Sequence, residues 1–94
     1  MEDRRVLIVE DDPISGKLLM EVALSIGFQP VLASNGRLAL EMFRKHPFPI
    51  VITDIEMPEM DGRALIDHLK DIEEEPVIIV QTVIKESEHV IEIM

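Results

Sequence analysis

The chain has 94 residues, enough for one small domain, so a second domain is excluded. It carries 9 basic and 19 acidic side chains, and the formal net charge of −10, with the basic residues scattered, argues against binding to nucleic acid or to an anionic membrane. Cysteine is absent, which excludes disulfides and thiolate metal sites. Because the sequence also shows no secretion signal and no run long enough to span a bilayer, we expect a cytoplasmic protein.

The first half of the chain predicts two strands and two helices in alternation. Residues 5–9 form an apolar strand, and Asp12 is suited to cap the helix that follows, with Pro13 at its first position. Gly27 is placed to end this helix in a left-handed turn. Residues 30–33 predict a short strand at a sheet edge, since it begins with proline. The first helix has apolar residues at every fourth position, which we expect to face the core, namely Ile14, Leu18, Val22 and Ile26.

The second helix and the second half of the chain continue the same alternation. Apolar residues at helical spacing mark a second helix that ends before His46-Pro47 and a third that follows the turn at Asp61-Gly62. Two apolar runs, 50–52 and 77–80, predict strands that are covered on both faces. The inward positions of the helices are Leu38, Ala39, Met42 and Phe43, then Leu65, Ile66, Leu69 and Ile72, then Val90, Ile93 and Met94 in a last helix capped by Ser87. This order indicates an α/β fold with a parallel sheet, right-handed crossovers and helices on both faces.

Carboxylates follow two of the predicted strands directly. Glu10 and Asp11 come after the first strand, and Asp54 ends the third. In an open parallel sheet, ligands bind outside the carboxyl ends of the strands, so these side chains converge if the two strands are neighbours. Crowded carboxylates repel one another unless a cation intervenes, and a set of oxygen ligands without Cys or His suits Mg²⁺ better than Zn²⁺. Asp12 and Asp61 are interpreted as a helix cap and a turn residue.

Asp54 is the candidate nucleophile. No turn requires an acid at that strand end, and a carboxylate can attack phosphorus to form an acyl phosphate while a metal neutralises charge on the transferring group. No catalytic role is assigned to the histidines, His46, His68 and His89.

Two stretches together carry a family resemblance. Val-Leu-Ile-Val-Glu-Asp-Asp-Pro at 6–13 and Thr-Asp-Ile-Glu-Met-Pro-Glu-Met-Asp-Gly at 53–62 resemble the receiver domain of two-component response regulators. The resemblance covers almost all of residues 1–94. It implies a flavodoxin-like, doubly wound parallel sheet in a three-layer α/β/α arrangement, with strand order 2-1-3-4-5.

The resemblance also implies a function and a ligand set. Asp54 accepts a phosphoryl group from a histidine kinase or a histidine phosphotransfer protein, with Mg²⁺ as the cofactor. By the same resemblance, Asp11 and Asp54 bind the metal directly, Glu10 binds it through water, and the main-chain carbonyl of Glu56 completes the site.

The sequence departs from the family pattern in two places. The family has a switch Ser or Thr at the end of strand four, and either Gln81 or Thr82 falls there; we favour Thr82. A slip of one residue turns a strand side chain to the other face, so these alignments exclude each other. The family's fifth strand, its lysine and its fifth helix are expected beyond residue 94, which makes the predicted domain incomplete at its C-terminus. Lys85 is interpreted as a solvated lysine rather than a replacement.

Three functions are therefore compared. The leading prediction is a phosphoacceptor signalling module, not a turnover enzyme. A pseudo-receiver that serves only protein contacts is the alternative favoured by the missing lysine. A phosphohydrolase of the haloacid dehalogenase type also uses an aspartate and Mg²⁺, but it places the nucleophile after its first strand, whereas Asp54 ends the third. We also expect self-association through the incomplete sheet edge, or a fold of marginal stability.

Overall fold

The computed structural model describes residues 3–54, 62–70 and 76–81. Within these ranges strands and helices alternate as predicted. The elements are β1 (Arg5–Val9), α1 (Pro13–Ser25), β2 (Gln29–Ala33), α2 (Gly36–Lys45), β3 (Ile50–Asp54), α3 (Gly62–Lys70) and β4 (Val77–Gln81). The predicted inward position Ile72 and the predicted helix that begins near Ser87 lie outside the described residues.

The four strands form one parallel sheet in the order β2-β1-β3-β4. β1 lies inside the sheet, where Leu7 pairs with Val31 of β2 on one side and Val51 of β3 on the other. β2 is an edge strand, as Pro30 predicted. The α/β class and the first four positions of the expected 2-1-3-4-5 order are thus confirmed. The strand order changes direction between β1 and β3.

The two faces of the sheet bury separate apolar clusters. Alternate residues of β1 point to opposite sides, so Leu7 and Val9 meet α2 and α3 while Val6 and Ile8 meet α1. The first cluster is closed by fully buried side chains of the two helices, namely Ala39 and Phe43 of α2 and Leu65 and Leu69 of α3. The other inward positions predicted for α2 and α3 are confirmed among the described residues, except that Ile66 is half-buried and lies outside the cluster. Leu40, which was not predicted, is buried in it.

Both predicted ends of α1 are also confirmed. Asp12 caps α1 by accepting hydrogen bonds from the main-chain N–H groups of Ile14 and Ser15, and Pro13 occupies the first helical position. Gly27 ends the same helix with a φ of 91°, a left-handed conformation that L side chains rarely adopt. Asp12 and Pro13 thus set the start of α1, directly after the carboxylates that follow β1.

The prediction for the buried face of α1 was wrong. The four-residue stripe is largely exposed, with Ile14 at 80% and Leu18 at 60% of their full accessibility, and Val22 and Ile26 at 50% and 64%. The helix instead turns Gly16, Leu19 and Ala23 towards the sheet. Apolar residues lie on most sides of α1, so more than one set of them recurs at the spacing of a buried helix face. The buried face is the one that carries Gly16, where an added Cβ would lie 3.1 Å from the Leu32 side chain. Glycine at this position thus favours the close approach of α1 to β2.

The expectation that β4 is covered on both faces was also wrong for the part of the chain that the structure describes. Val77, Ile79 and Val80 are 61%, 47% and 46% exposed. α1 packs over β1 and β2 and leaves the neighbouring strands open on its side of the sheet. The result is an open apolar groove beside α1, lined by Val6, Leu19, Val22, Ala23, Ile26, Phe28, Ile50, Ile52 and Ile79.

None of the helices in the described ranges has the length and apolar content needed to cross a membrane.

Two adjacent leucines test the packing of α1. Leu19→Ala removes a side chain that packs against the α1-side core and is expected to lower the free energy of unfolding by about 2 kcal/mol. Leu18→Ala removes the same atoms from an exposed position and is expected to change it by less than about 0.5 kcal/mol. Urea unfolding followed by far-UV circular dichroism makes the comparison. A larger loss for Leu18→Ala than for Leu19→Ala would show that the other face is buried.

Candidate functional site

The site lies where β1 and β3 end side by side. The two strands are parallel neighbours, with Val9 opposite Thr53, so the next residue of each strand lies at the same edge of the sheet. Glu10 follows β1 and Asp54 is the last residue of β3. The sequence analysis predicted that these acids converge if the first and third strands are neighbours, and β1 and β3 are neighbours.

Three carboxylates meet at this edge. One oxygen from each of Glu10, Asp11 and Asp54 can be chosen so that all three lie within 4.8 Å of one another. Glu10 and Asp54 are only 2% and 4% exposed, and Oε1 of Glu10 and Oδ2 of Asp54 are shielded from solvent. Burial and mutual repulsion both disfavour three negative charges in this space. The arrangement is therefore suited to a cation with a preference for oxygen ligands.

The neighbouring main chain orients part of the cluster. Oε2 of Glu10 accepts a hydrogen bond from the N–H of Asp12 at 3.1 Å. The Glu10 N–H donates to the carbonyl of Ala33 at 3.0 Å, which ties the residue after β1 to the end of β2. Asp12 itself serves the helix, since its Oδ2 also accepts from the Ser15 hydroxyl at 2.7 Å. The interpretation of Asp12 as a helix cap is confirmed.

Thr53 is a buried polar residue at the site that the sequence analysis did not single out. Its side chain has no accessible surface, and its hydroxyl donates to the main-chain carbonyl of Asp54 at 2.9 Å. The signal in the sequence was a hydroxyl that interrupts an otherwise aliphatic strand, immediately before the candidate nucleophile. Composition alone gave no reason to separate it from an ordinary strand threonine, because threonine is common in strands.

The remaining predicted site residues are not tested by the described part of the chain. Glu56 and Thr82 lie outside it. Gln81 ends β4, and its Cα is in register with that of Asp54. The choice between Gln81 and Thr82 for the switch position stays a prediction.

The chain matches the family model for the response regulator receiver domain over residues 6–94. Among curated relatives, it is 35% identical over 71 residues to the sensor histidine kinase RcsC of Salmonella typhimurium, covering 76% of this chain and 8% of the relative. It is 32% identical over 82 residues to the transcriptional regulatory protein BaeR of Escherichia coli, covering 87% of this chain and 34% of that protein. This chain therefore spans about a third or less of the length of these relatives.

Solved structures show the same fold. The signal receiver domain of a signal transduction histidine kinase from Syntrophus aciditrophicus matches with a TM-score of 0.80 and 31% identity, over 93% of this chain and 67% of that chain. The response regulator protein TrrA from Thermotoga maritima, described as a complex with Mg²⁺-BeF, matches with a TM-score of 0.82 and 32% identity, over 87% of this chain and 71% of that chain.

Proposed function

Since the chain belongs to the response regulator receiver domain family, we propose that it is a Mg²⁺-dependent phosphoacceptor in which Asp54 takes a phosphoryl group from a phosphohistidine. The observation that carries the proposal is the convergence of Glu10, Asp11 and Asp54 at the ends of two neighbouring strands. The donor would be a histidine kinase or a histidine phosphotransfer protein, and the transfer would take place in the cytoplasm. The names of RcsC and BaeR, a sensor kinase and a transcriptional regulator, support a role in this kind of signalling.

The proposed transfer is a single displacement at phosphorus. A carboxylate oxygen of Asp54 forms the new P–O bond as the P–N bond of the donor phosphohistidine breaks. The electron pair of the broken bond stays on the imidazole nitrogen, which takes up a proton, and Asp54 becomes an acyl phosphate. The buried position of Asp54 at the strand end holds the nucleophile and limits access by water.

The described oxygen ligands fit a hard divalent cation. Glu10, Asp11 and Asp54 offer carboxylate oxygens only, and the short distances between these oxygens match a site that shares one ion. When bound, Mg²⁺ would neutralise charge on the phosphoryl group as it moves. The Mg²⁺-BeF complex of the similar protein TrrA supports this choice of cation. The Glu56 carbonyl and the Thr82 hydroxyl remain the predicted further contacts to metal and phosphoryl oxygen.

We propose a phosphoacceptor, with no turnover of a substrate as in an enzyme. One of the curated relatives is a protein-glutamate methylesterase/protein-glutamine glutaminase, but this chain covers 21% of it, so that name says nothing of this domain alone. A pseudo-receiver would keep the fold and form no adduct. A haloacid dehalogenase-type phosphohydrolase would release phosphate from many substrate molecules.

Incubation with acetyl phosphate separates these functions. In the presence of Mg²⁺ the parent chain is expected to gain one phosphoryl group, seen by intact mass, and to lose it in hydroxylamine, as an acyl phosphate does. Asp54→Asn removes the nucleophilic oxygen and is expected to abolish the adduct. Asp67→Asn, which changes an exposed acid on α3, is the matched control and should label like the parent. Equal labelling of Asp54→Asn and the parent would refute the assignment, as would release of phosphate by a parent chain that forms no adduct.

Mg²⁺ is expected to stabilise the parent chain, because a ligand bound only by the native state adds RT ln(1 + [L]/Kd) to the free energy of unfolding. Asp11→Asn should abolish most of this gain. Without divalent ions, Asp11→Asn is expected to be more stable than the parent. It removes one of three crowded charges, which should raise the free energy of unfolding by about 1 kcal/mol. Thermal melts of the parent and of Asp11→Asn, each with Mg²⁺ and with chelator, give the four melting temperatures to compare. Coincident parent melts under both conditions would contradict the metal site.

We also propose that copies of the 94-residue chain associate through β4. Within the described residues, β4 pairs with β3 along one edge, and its apolar side chains at 77, 79 and 80 are about half exposed. The other edge offers the main-chain N–H and C=O groups that a second β4, related by a two-fold axis, would complement.

Sedimentation velocity at micromolar concentration tests the association. The parent chain is expected to sediment as a dimer or larger species, and Ile79→Lys should shift it to the monomer by placing a charge in the apolar patch. Leu24→Lys, at a position of α1 that is 60% exposed and outside the groove, is the matched control and should keep the parent's distribution. A monomeric parent with a cooperative melt would contradict the proposal.

A further inference from the structure

We infer that Thr53 is a positioning residue for Asp54, acting through the hydrogen bond from its hydroxyl to the Asp54 main-chain carbonyl. This inference rests on the proposed function of Asp54 as the phosphoacceptor. It concerns a residue that does not belong to the acid cluster and that does not touch the transferred group. The observations that support it are the burial of Thr53, the direction of its hydrogen bond and its place in the strand.

Thr53 stands out among its neighbours in β3. The three residues before it, Ile50, Val51 and Ile52, are aliphatic and β-branched, and Val51 shares its side of the sheet. Valine has almost the same shape as threonine and would fill this buried space without a polar group. A buried hydroxyl is unfavourable unless it is hydrogen-bonded, so apolar packing alone gives no reason for one here. The purpose of the hydroxyl has to be sought in the group that it contacts.

That group is the peptide unit that follows the candidate nucleophile. The Thr53 hydroxyl lies 2.9 Å from the Asp54 carbonyl oxygen. This bond bridges two successive residues at the point where β3 ends and the regular ladder with β1 stops, since the last β1 pair is Val9 with Thr53. It therefore adds a restraint on the Asp54 main chain where the β1 ladder has stopped and only the pairing of Asp54 with Gln81 of β4 still holds it.

The main-chain angles of a residue decide which side-chain rotamers it can adopt. Holding the Asp54 peptide thus holds its carboxylate in the orientation that brings one oxygen within 4.8 Å of the Glu10 and Asp11 oxygens. Both the binding of a shared cation and attack on phosphorus depend on this placement, and a supporting contact one step removed from a metal ligand commonly changes metal affinity about 10-fold or more.

Three variants separate the hydroxyl from the shape of the side chain. Thr53→Val keeps the shape and removes the hydroxyl, Thr53→Ser keeps the hydroxyl, and Thr53→Ala removes it without β-branching in case the valine variant does not fold. Mg²⁺ affinity is measured by calorimetry, the rate of adduct formation by intact mass with acetyl phosphate and saturating Mg²⁺, and stability by urea unfolding.

Loss of the hydroxyl is expected to raise the Kd for Mg²⁺ and to lower the labelling rate by about 10-fold each, with no fall in the urea midpoint of Thr53→Val. Thr53→Ser is expected to stay within about twofold of the parent in both measurements. Parent-like affinity and rate in Thr53→Val would overturn the inference. The inference would also be overturned if the losses of Mg²⁺ affinity and labelling rate paralleled a loss of stability in the urea measurement and Thr53→Ser showed the same losses.

The experiment also distinguishes failure of the proposed phosphoacceptor role from failure of the Thr53 inference. If the parent chain neither binds Mg²⁺ nor forms the adduct, the phosphoacceptor role of Asp54 is wrong. The effect of Thr53 is then decided by NMR scalar couplings that report the Asp54 side-chain rotamer. One rotamer in the parent and in Thr53→Ser, with rotamer averaging in Thr53→Val, supports the positioning. The same couplings in all three chains overturn it.

Discussion

The parallel pairing of β1 with β3 is the contact on which the site depends. It sets Val9 opposite Thr53, so that Glu10 and Asp54 emerge at one level, and it is held by main-chain hydrogen bonds and by apolar packing on both faces of β1. Carboxylates at this spacing repel one another and are poorly hydrated when buried. The site therefore persists because the sheet, whose energy comes from the apolar clusters, holds the acids together. Mutual repulsion of the acids opposes the fold, and a bound cation would offset it.

The polar groups around the site each have a separate task. Asp12 caps α1, the Asp12 N–H orients Glu10, and the Thr53 hydroxyl restrains the main chain of Asp54. Each of these contacts is local in sequence and joins a side chain to a main-chain group one to three residues away. Glu10, Asp11 and Asp54 each present a carboxylate oxygen at the carboxyl edge of the sheet.

Apolar packing is distributed unevenly across the sheet. The side that packs against α2 and α3 contains fully buried aromatic and aliphatic residues, including Phe43, whose ring lies 6.5 Å from that of Phe48. The α1 side is covered over β1 and β2 but open beside β3 and β4 within the described residues. The acid cluster lies at the ends of β1 and β3, two strands that are well packed on the side of α2 and α3.

The sequence by itself determined the order of elements, and it predicted that the acids converge if the first and third strands are neighbours. Aliphatic runs that end in Glu10 and Asp54 define strand ends, and Asp12, Pro13 and Gly27 mark helix ends through local chemistry that no distant residue alters. The family motif then identified Asp54. Only the tertiary structure decided which face of α1 is buried, because apolar residues lie around most of that helix and the choice depends on Gly16 meeting Leu32, a residue of another element. It likewise decided that Thr53 contacts the carbonyl of Asp54. A strand threonine has several rotamers and partners, and the one it adopts depends on the packing that surrounds it.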